Sequence, residues 1–208
     1  MNNLLENNQV TINGRIISDF SYSHEIAGER FYSFHVEIQR NSGISDVLPV
    51  VVSDRLMDIN QSYVGSIVSI QGQYRSYNRH TGEKSLLILS VFALEIEFCD
   101  FLAECYENNK ILIYGTICKE PVYRMTPLGR EISDVLIAVN RSYGKSDYIP
   151  CICWGRNARF ANKLSVGTKV ELFGRIQSRE YKKVLPDGSE ILKTAYEVSV
   201  SKMQVKDE

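Results

Sequence analysis

A shift of 101 positions lays the first half of this chain over the second, and no other feature constrains its fold as much. Asn7–Ile16, NNQVTINGRI, falls on Asn108–Ile117, NNKILIYGTI. The same shift carries Tyr22 to Tyr123, Gly28 to Gly129, Arg40 to Arg141, Gly43 to Gly144, Asp46 to Asp147, Pro49 to Pro150 and Arg55 to Arg156. After a one-residue slip, Val64 and Gly65 meet Val166 and Gly167, and Gly72 meets Gly174. Matched glycines and prolines turn the backbone at matched places, so one fold is present twice. The chain has 208 residues, which leaves each copy about 100, enough for a core of its own. Domains are expected at 1–98 and 110–208. The joining stretch, 99–109, lacks the Gly, Ser or Pro richness of a flexible tether and can form a short helix.

Between these turns the apolar residues recur every second position. Phe34, Val36 and Ile38 match Val135, Ile137 and Val139, and Val68, Ile70 and Tyr74 match Val170, Leu172 and Ile176. These are strands. One segment per copy departs from that period: RNARFANKLSVG from Arg156 has Ala158, Ala161 and Leu164 at helical spacing, and DRLMDINQSYVG from Asp54 is its counterpart. A long hairpin closes each copy, turning at His80–Gly82 in the first and Pro186–Gly188 in the second. The expected class is therefore all-β: two tandem five-stranded OB-fold barrels, each with a short helix between strands 3 and 4.

An open barrel of this kind offers nucleic acid a concave face on which rings and cations point outward. In YIPCICW, Ile149, Cys151 and Cys153 alternate with Tyr148, Ile152 and Trp154, so the two aromatics face outward if the thiols face the core. On the next strand Lys169, Arg175, Arg179 and Tyr181 have the parity opposite to Val170, Leu172 and Ile176. Unstacked bases lie on such rings, at about 1–3 kcal/mol per base, while the cations follow phosphates. For either Trp154 or Tyr181 alone a core or filler role is the better reading; three aromatics beside basic neighbours favour binding. The first copy has Val47, Ser53 and Arg79 at the places of Tyr148, Trp154 and Tyr181, so its stacking is expected to be weak and its role mainly packing or protein contact. Charge divides the same way. Residues 1–107 hold 7 Lys and Arg against 14 Asp and Glu, whereas residues 108–208 hold 17 against 11.

Other chemistry finds little support. Five cysteines, Cys99, Cys105, Cys118, Cys151 and Cys153, include no CxxC pair, and His24, His35 and His80 share no ligand spacing with them, so reduced thiols and no metal are expected. No Ser/His/Asp set or phosphate-cradling glycine loop is present, and Glu120, Glu131 and Glu171 stand singly, so neither an enzyme nor a cofactor is expected. No apolar run has the length of a membrane helix and MNNLLENNQ does not resemble a signal peptide, which gives a cytoplasmic expectation without membrane association.

The segments KILIYGTICKEPVYRMTPLGREISDVLIAVNR and DYIPCICWGRNARFANKLSVGTKVELFGRIQSREY resemble bacterial single-stranded DNA-binding proteins of the SSB family across nearly all of the second copy. The resemblance implies base-stacking roles for Tyr148, Trp154 and Tyr181, and backbone contacts from Lys110, Arg124, Arg156 and Arg179; the strand pattern adds Arg175. It further implies sequence-tolerant binding of single-stranded DNA in replication, repair or recombination. A homodimer bringing four OB domains together is implied by analogy, with replication or repair proteins as further partners. Family members usually end in a disordered tail with an acidic tip, whereas this sequence stops at KMQVKDE, so recruitment through such a tail is not expected. The alternative is a primosome-like accessory or adaptor whose OB surfaces mainly hold proteins.

Overall fold

The computed structural model describes residues 7–82, 84–103, 107–185 and 188–206. The first half runs β1 (Asn8–Ile16), β2 (Ser21–Ile26), β3 (Glu29–Gln39), β4 (Ser45–Ser53), β5 (Ile67–Thr81) and β6 (Lys84–Cys99). The second runs β7 (Asn109–Ile117), β8 (Val122–Met125), β9 (Glu131–Asn140), β10 (Ser146–Trp154), α1 (Arg156–Ala161), β11 (Lys169–Val184) and β12 (Glu190–Val205). The twelve strands of the described residues join one sheet in the order β2-β3-β4-β6-β5-β1-β7-β11-β12-β10-β9-β8, a palindrome about the β1–β7 contact. Extra pairings β1–β3 and β7–β9 close a ring of five strands in each half. The short strands β2 and β8 lie outside those rings, as hairpin partners of β3 and β9.

Side chains enter the core by the alternation their spacing dictates. Phe34, Val36 and Ile38, with Val135, Ile137 and Val139, are buried, as are Ile149, Cys151 and Cys153. Each closing hairpin carries one irregularity. Ser201 is an extra residue on β12 between the Phe173–Lys202 and Gly174–Val200 pairs, and Leu94 is its counterpart on β6 between Gln71–Glu95 and Gly72–Ala93. The bulge shifts the inward set from Val198 and Val200 to Met203. Glycine is required opposite it, because a Cβ at Gly72 or Gly174 would collide with the carbonyl oxygen of Phe92 or Ser199.

The two copies differ where a helix was expected in both. In the second, α1 seats Ala158 and Ala161 against the barrel, both fully buried. In the first, the described residues 54–65 form turns. Asn60 takes the place of Ala161 and cannot be buried there; its amide donates to Asp58 at 3.1 Å, and Gln61 Nε2 donates to the same carboxylate at 2.9 Å. Such local side-chain bonds compete with helix, and the buried Met57 fills the place of Ala158 alone. The joining stretch is not helical in its described part either; Ala103 N donates to Asn13 Oδ1 at 2.7 Å. Of the Pro186–Gly188 turn, Pro186 and Asp187 lie outside the described residues.

What holds the halves together repeats across the pseudo-twofold axis. β1 and β7 pair antiparallel with Val10 opposite Ile111, residues that are themselves 101 apart. Beside that seam, within its own half, Asn8 grips Tyr74 through both of its backbone polar groups, at 2.8 and 2.9 Å, and Asn109 grips Ile176 likewise at 2.7 and 2.9 Å. Asn7 Nδ2 crosses to Asn140 O at 2.8 Å, and Asn108 Nδ2 crosses to Gln39 O at 2.7 Å.

The Arg–Asp pair of each half docks on a serine of the other. Asp46 is fully buried, pairs with Arg40, and accepts from Ser178 N at 2.7 Å, while Val47 N donates to Ser178 Oγ at 3.0 Å. Asp147, equally buried, pairs with Arg141 and accepts from Ser76 N, while Tyr148 N donates to Ser76 Oγ at 2.7 Å. A buried carboxylate this fully hydrogen-bonded specifies a register, and its removal strands a partner arginine.

Asp147→Ala is expected to cost about 3–5 kcal/mol of stability in denaturant unfolding. The exposed Arg124–Asp134 pair gives the control, since Asp134→Ala should cost about 1 kcal/mol or less. The core thiols supply a second expectation. Burial pushes Cys153 up to about 12 and Cys151 well above the ordinary thiol range, so both stay protonated and unreactive toward a disulfide reagent at pH 8 until the protein unfolds. Because the folded state keeps these protons longer than the unfolded one, stability should be unaffected below the ordinary thiol value of about 8.5 and fall progressively above it. A pH series of thermal melts checks this.

Candidate nucleic-acid interface

The outward face of β10 and β11 opens on a groove of about 1010 Å³. With Cys151 and Cys153 inward, the pleat turns Ile152 and Trp154 to the groove. Trp154 is half-buried, and its indole Nε1 donates to Ser199 Oγ on β12 at 3.2 Å, which holds the ring against a small residue. Arg175, Gln177 and Arg179 enter from β11, Arg124 from β8, and Arg130 from the turn leading into β9. The far wall belongs to the other half, through Arg40, Ile44 and Val47.

The cations here differ in how far they are already neutralised. Arg124 forms a fork with Asp134, Nε at 2.7 Å. Arg179 lies 3.8 Å from Glu197, with its guanidinium 5.8 Å above the Tyr181 ring. Arg175 has only Gln177 Oε1, at 3.4 Å, and its buried Nε has no partner among the described residues. Burial, and then the neighbouring charge of Arg40, holds its pKa below the usual guanidinium range, although it remains cationic at neutral pH. A partly dry cation without a carboxylate is suited to an anionic oxygen.

Of the residues expected at the site, Trp154, Arg124, Arg175 and Arg179 share this groove. Tyr148 is exposed at the start of β10, six residues from Trp154 on the same strand parity, and Tyr181 is exposed two residues beyond Arg179 on β11. Neither lines the groove itself. Lys110 lies on β7, paired with Glu107, in a neighbouring polar cavity of about 690 Å³ that shares Arg40 and Arg175 with the groove. Arg156 is exposed at the first residue of α1 and joins neither cavity.

Arg130 and Tyr196 line the groove without having been singled out from sequence. Arg130 sits beyond the turn closed by Thr126 and Gly129, and no strand parity extends there. Tyr196 lies on β12 before the bulge, on the strand whose sequence alignment with the first copy fails.

Comparison with known proteins places the second half. Residues 108–206 match the model of the Single-strand binding protein family. A single-stranded DNA-binding protein of Clostridium tetani is 34% identical over 80 residues, covering 35% of this chain and 55% of that protein. Single-stranded DNA-binding protein A of Bacillus subtilis is 34% identical over 80 residues, covering 35% of this chain and 46% of that protein. The chain thus spans about half the length of the curated relatives it matches. Over the whole fold, the crystal structure of wild-type single-stranded DNA binding protein from Thermus aquaticus superposes with a TM-score of 0.72 at 17% identity, covering 97% of this chain and 93% of that one. The likeness of fold therefore extends through both halves, while the match to the Single-strand binding protein family model covers residues 108–206.

Proposed function

We propose that this chain binds single-stranded DNA with little sequence preference and serves replication, repair or recombination in the cytoplasm, without a cofactor and without catalysis. Two tandem OB-fold barrels, 1–98 and 110–208 joined by 99–109, form its body, and a homodimer brings four barrels together. The second barrel carries the DNA. One observation supports this above the others: Trp154 shares a groove with Arg124, Arg175 and Arg179, in a domain whose relatives are named for the same activity.

The chemistry follows from that juxtaposition. A base laid on Trp154 leaves water, and its phosphate comes within reach of Arg175 and Arg179 on the adjacent strand. Tyr148 and Tyr181 extend the path beyond the two ends of the groove, with Arg179 between Trp154 and Tyr181 as a cation that serves ring or phosphate. Lys110 and Arg156 add positive charge at the margins. Each stacked ring provides affinity that is blind to base identity, which is what sequence tolerance requires.

Trp154 is the only tryptophan, so intrinsic fluorescence should fall when oligo-dT is added. Trp154→Ala should cost about 1–3 kcal/mol of affinity. The logarithm of the binding constant should decline with that of salt concentration by about 0.7 per phosphate neutralised. Unchanged fluorescence with no mobility shift at low salt would refute the proposal, and full affinity for a protein partner in Trp154→Ala would turn it toward the adaptor reading.

A further inference from the structure

The first half has a groove of its own, about 630 Å³, in the corresponding place. The aromatic that serves it comes from a different strand. Val51 pairs with Phe92 where Ile152 pairs with Ser199, so Phe92 is the counterpart of Ser199, and Ser53 the counterpart of Trp154. The large and small residues have exchanged strands. A ring is therefore present on this face even though β4 lacks one.

That ring is covered by a cation and packed against a second ring. The Arg75 guanidinium carbon lies 3.6 Å from the centre of Phe92, the separation and position that a stacked base would take. Phe31 also packs against Phe92 at 5.6 Å, tilted by 37°, and His24 stacks on Phe31 at 4.8 Å, within 10° of parallel. Gln73 Oε1 holds the guanidinium from the side, accepting from Nε at 3.3 Å and Nη2 at 2.9 Å. Arg75, Phe92, Phe31 and His24 thus form one contiguous cluster.

Charge in this groove has also changed sign at one position. Glu29 stands where the second half has Arg130, and it accepts a hydrogen bond from Ser53 Oγ while pairing with Arg55 at 3.7 Å. An incoming phosphate meets a carboxylate where the second groove presents a guanidinium.

We propose that the first-half groove is a nucleobase-stacking site kept shut by Arg75, whose guanidinium occupies the face of Phe92 on which a base of single-stranded nucleic acid would lie. The inference rests on the role proposed above for the second half. It makes binding one-sided within each chain, and it gives Arg75 a role opposite to that of an ordinary cation at a nucleic-acid surface. Arg75 excludes a base rather than attracting a phosphate.

Removal of a positive charge should then tighten DNA binding, which electrostatics alone does not allow. Full-length protein is titrated with labelled oligo-dT of increasing length, followed by anisotropy, for wild type, Arg75→Ser, Phe92→Ala and the double variant. Short oligonucleotides that fill only the second half should bind all four alike, which also reports that each is folded. Longer ones should bind Arg75→Ser about fivefold or more tightly than wild type, the gain of one stacked base, and the double variant should lose that gain.

Phe92→Ala alone should change affinity less than twofold at every length. Equal or weaker binding of long oligonucleotides by Arg75→Ser overturns the closure, as does a fivefold loss in Phe92→Ala alone, which would mean the site is already open. Oligo-dT binding undiminished in Trp154→Ala counts instead against the functional reading, so the two failures are distinct.

Discussion

The antiparallel contact of β1 with β7 is the constraint on which the remainder of the molecule is built. It turns two closed rings of strands into one continuous sheet, and by placing Val10 opposite Ile111 it sets the axis that every later contact obeys. Strand pairing alone permits slippage by two residues at modest cost, because the side chains return to the same face. The crossing amides of Asn7 and Asn108 and the two buried Arg–Asp pairs remove that freedom, since each must find a single serine or a single peptide on the opposite half. Unmet, those polar groups would be buried and unpaired.

Within that symmetric frame the outer faces have diverged. The second groove sets Trp154 against Ser199 and surrounds it with five arginines, of which Arg40, Arg124 and Arg179 come with their own carboxylates and Arg175 has none among the described residues. The first sets Phe92 against the β4 surface, covers it with Arg75 and admits Glu29. The acid–base division of the sequence thus has a local counterpart at single positions. Divergence of this kind is tolerated because the seam uses the inward parity and the strand starts, whereas the grooves use the outward parity. The two sets of side chains meet at Arg40 and Ser178 in the second groove and at Arg141 and Ser76 in the first.

Much of this was legible in the sequence, for physical reasons that also mark the limit. Period-two alternation identified which residues of β3, β9, β10 and β11 face inward, because the pleat leaves no choice, and Trp154 followed from the inward thiols. The paired asparagines were visible only as a repeat; that Asn7 and Asn108 reach across the axis depends on a register no local pattern encodes. The helix expected after Asp54 was lost to Asp58 and Asn60, whose side-chain bonds outweigh the apolar spacing. Phe92 was overlooked because the copies differ in length around the hairpin tip, so the residue opposite Ser199 lies 107 positions away rather than 101. A bulge on each partner then reverses the parity beyond it.

The seam joining β1 to β7 lies within one polypeptide. Subunits related by such an axis must ordinarily meet by diffusion, and their contact weakens as they are diluted. Here the linking stretch supplies the partner at a fixed local abundance, so integrity of the paired rings is independent of how scarce the protein becomes. Covalent linkage also guarantees one acidic and one basic ring in every molecule, an unequal pairing that identical freely associating subunits cannot enforce.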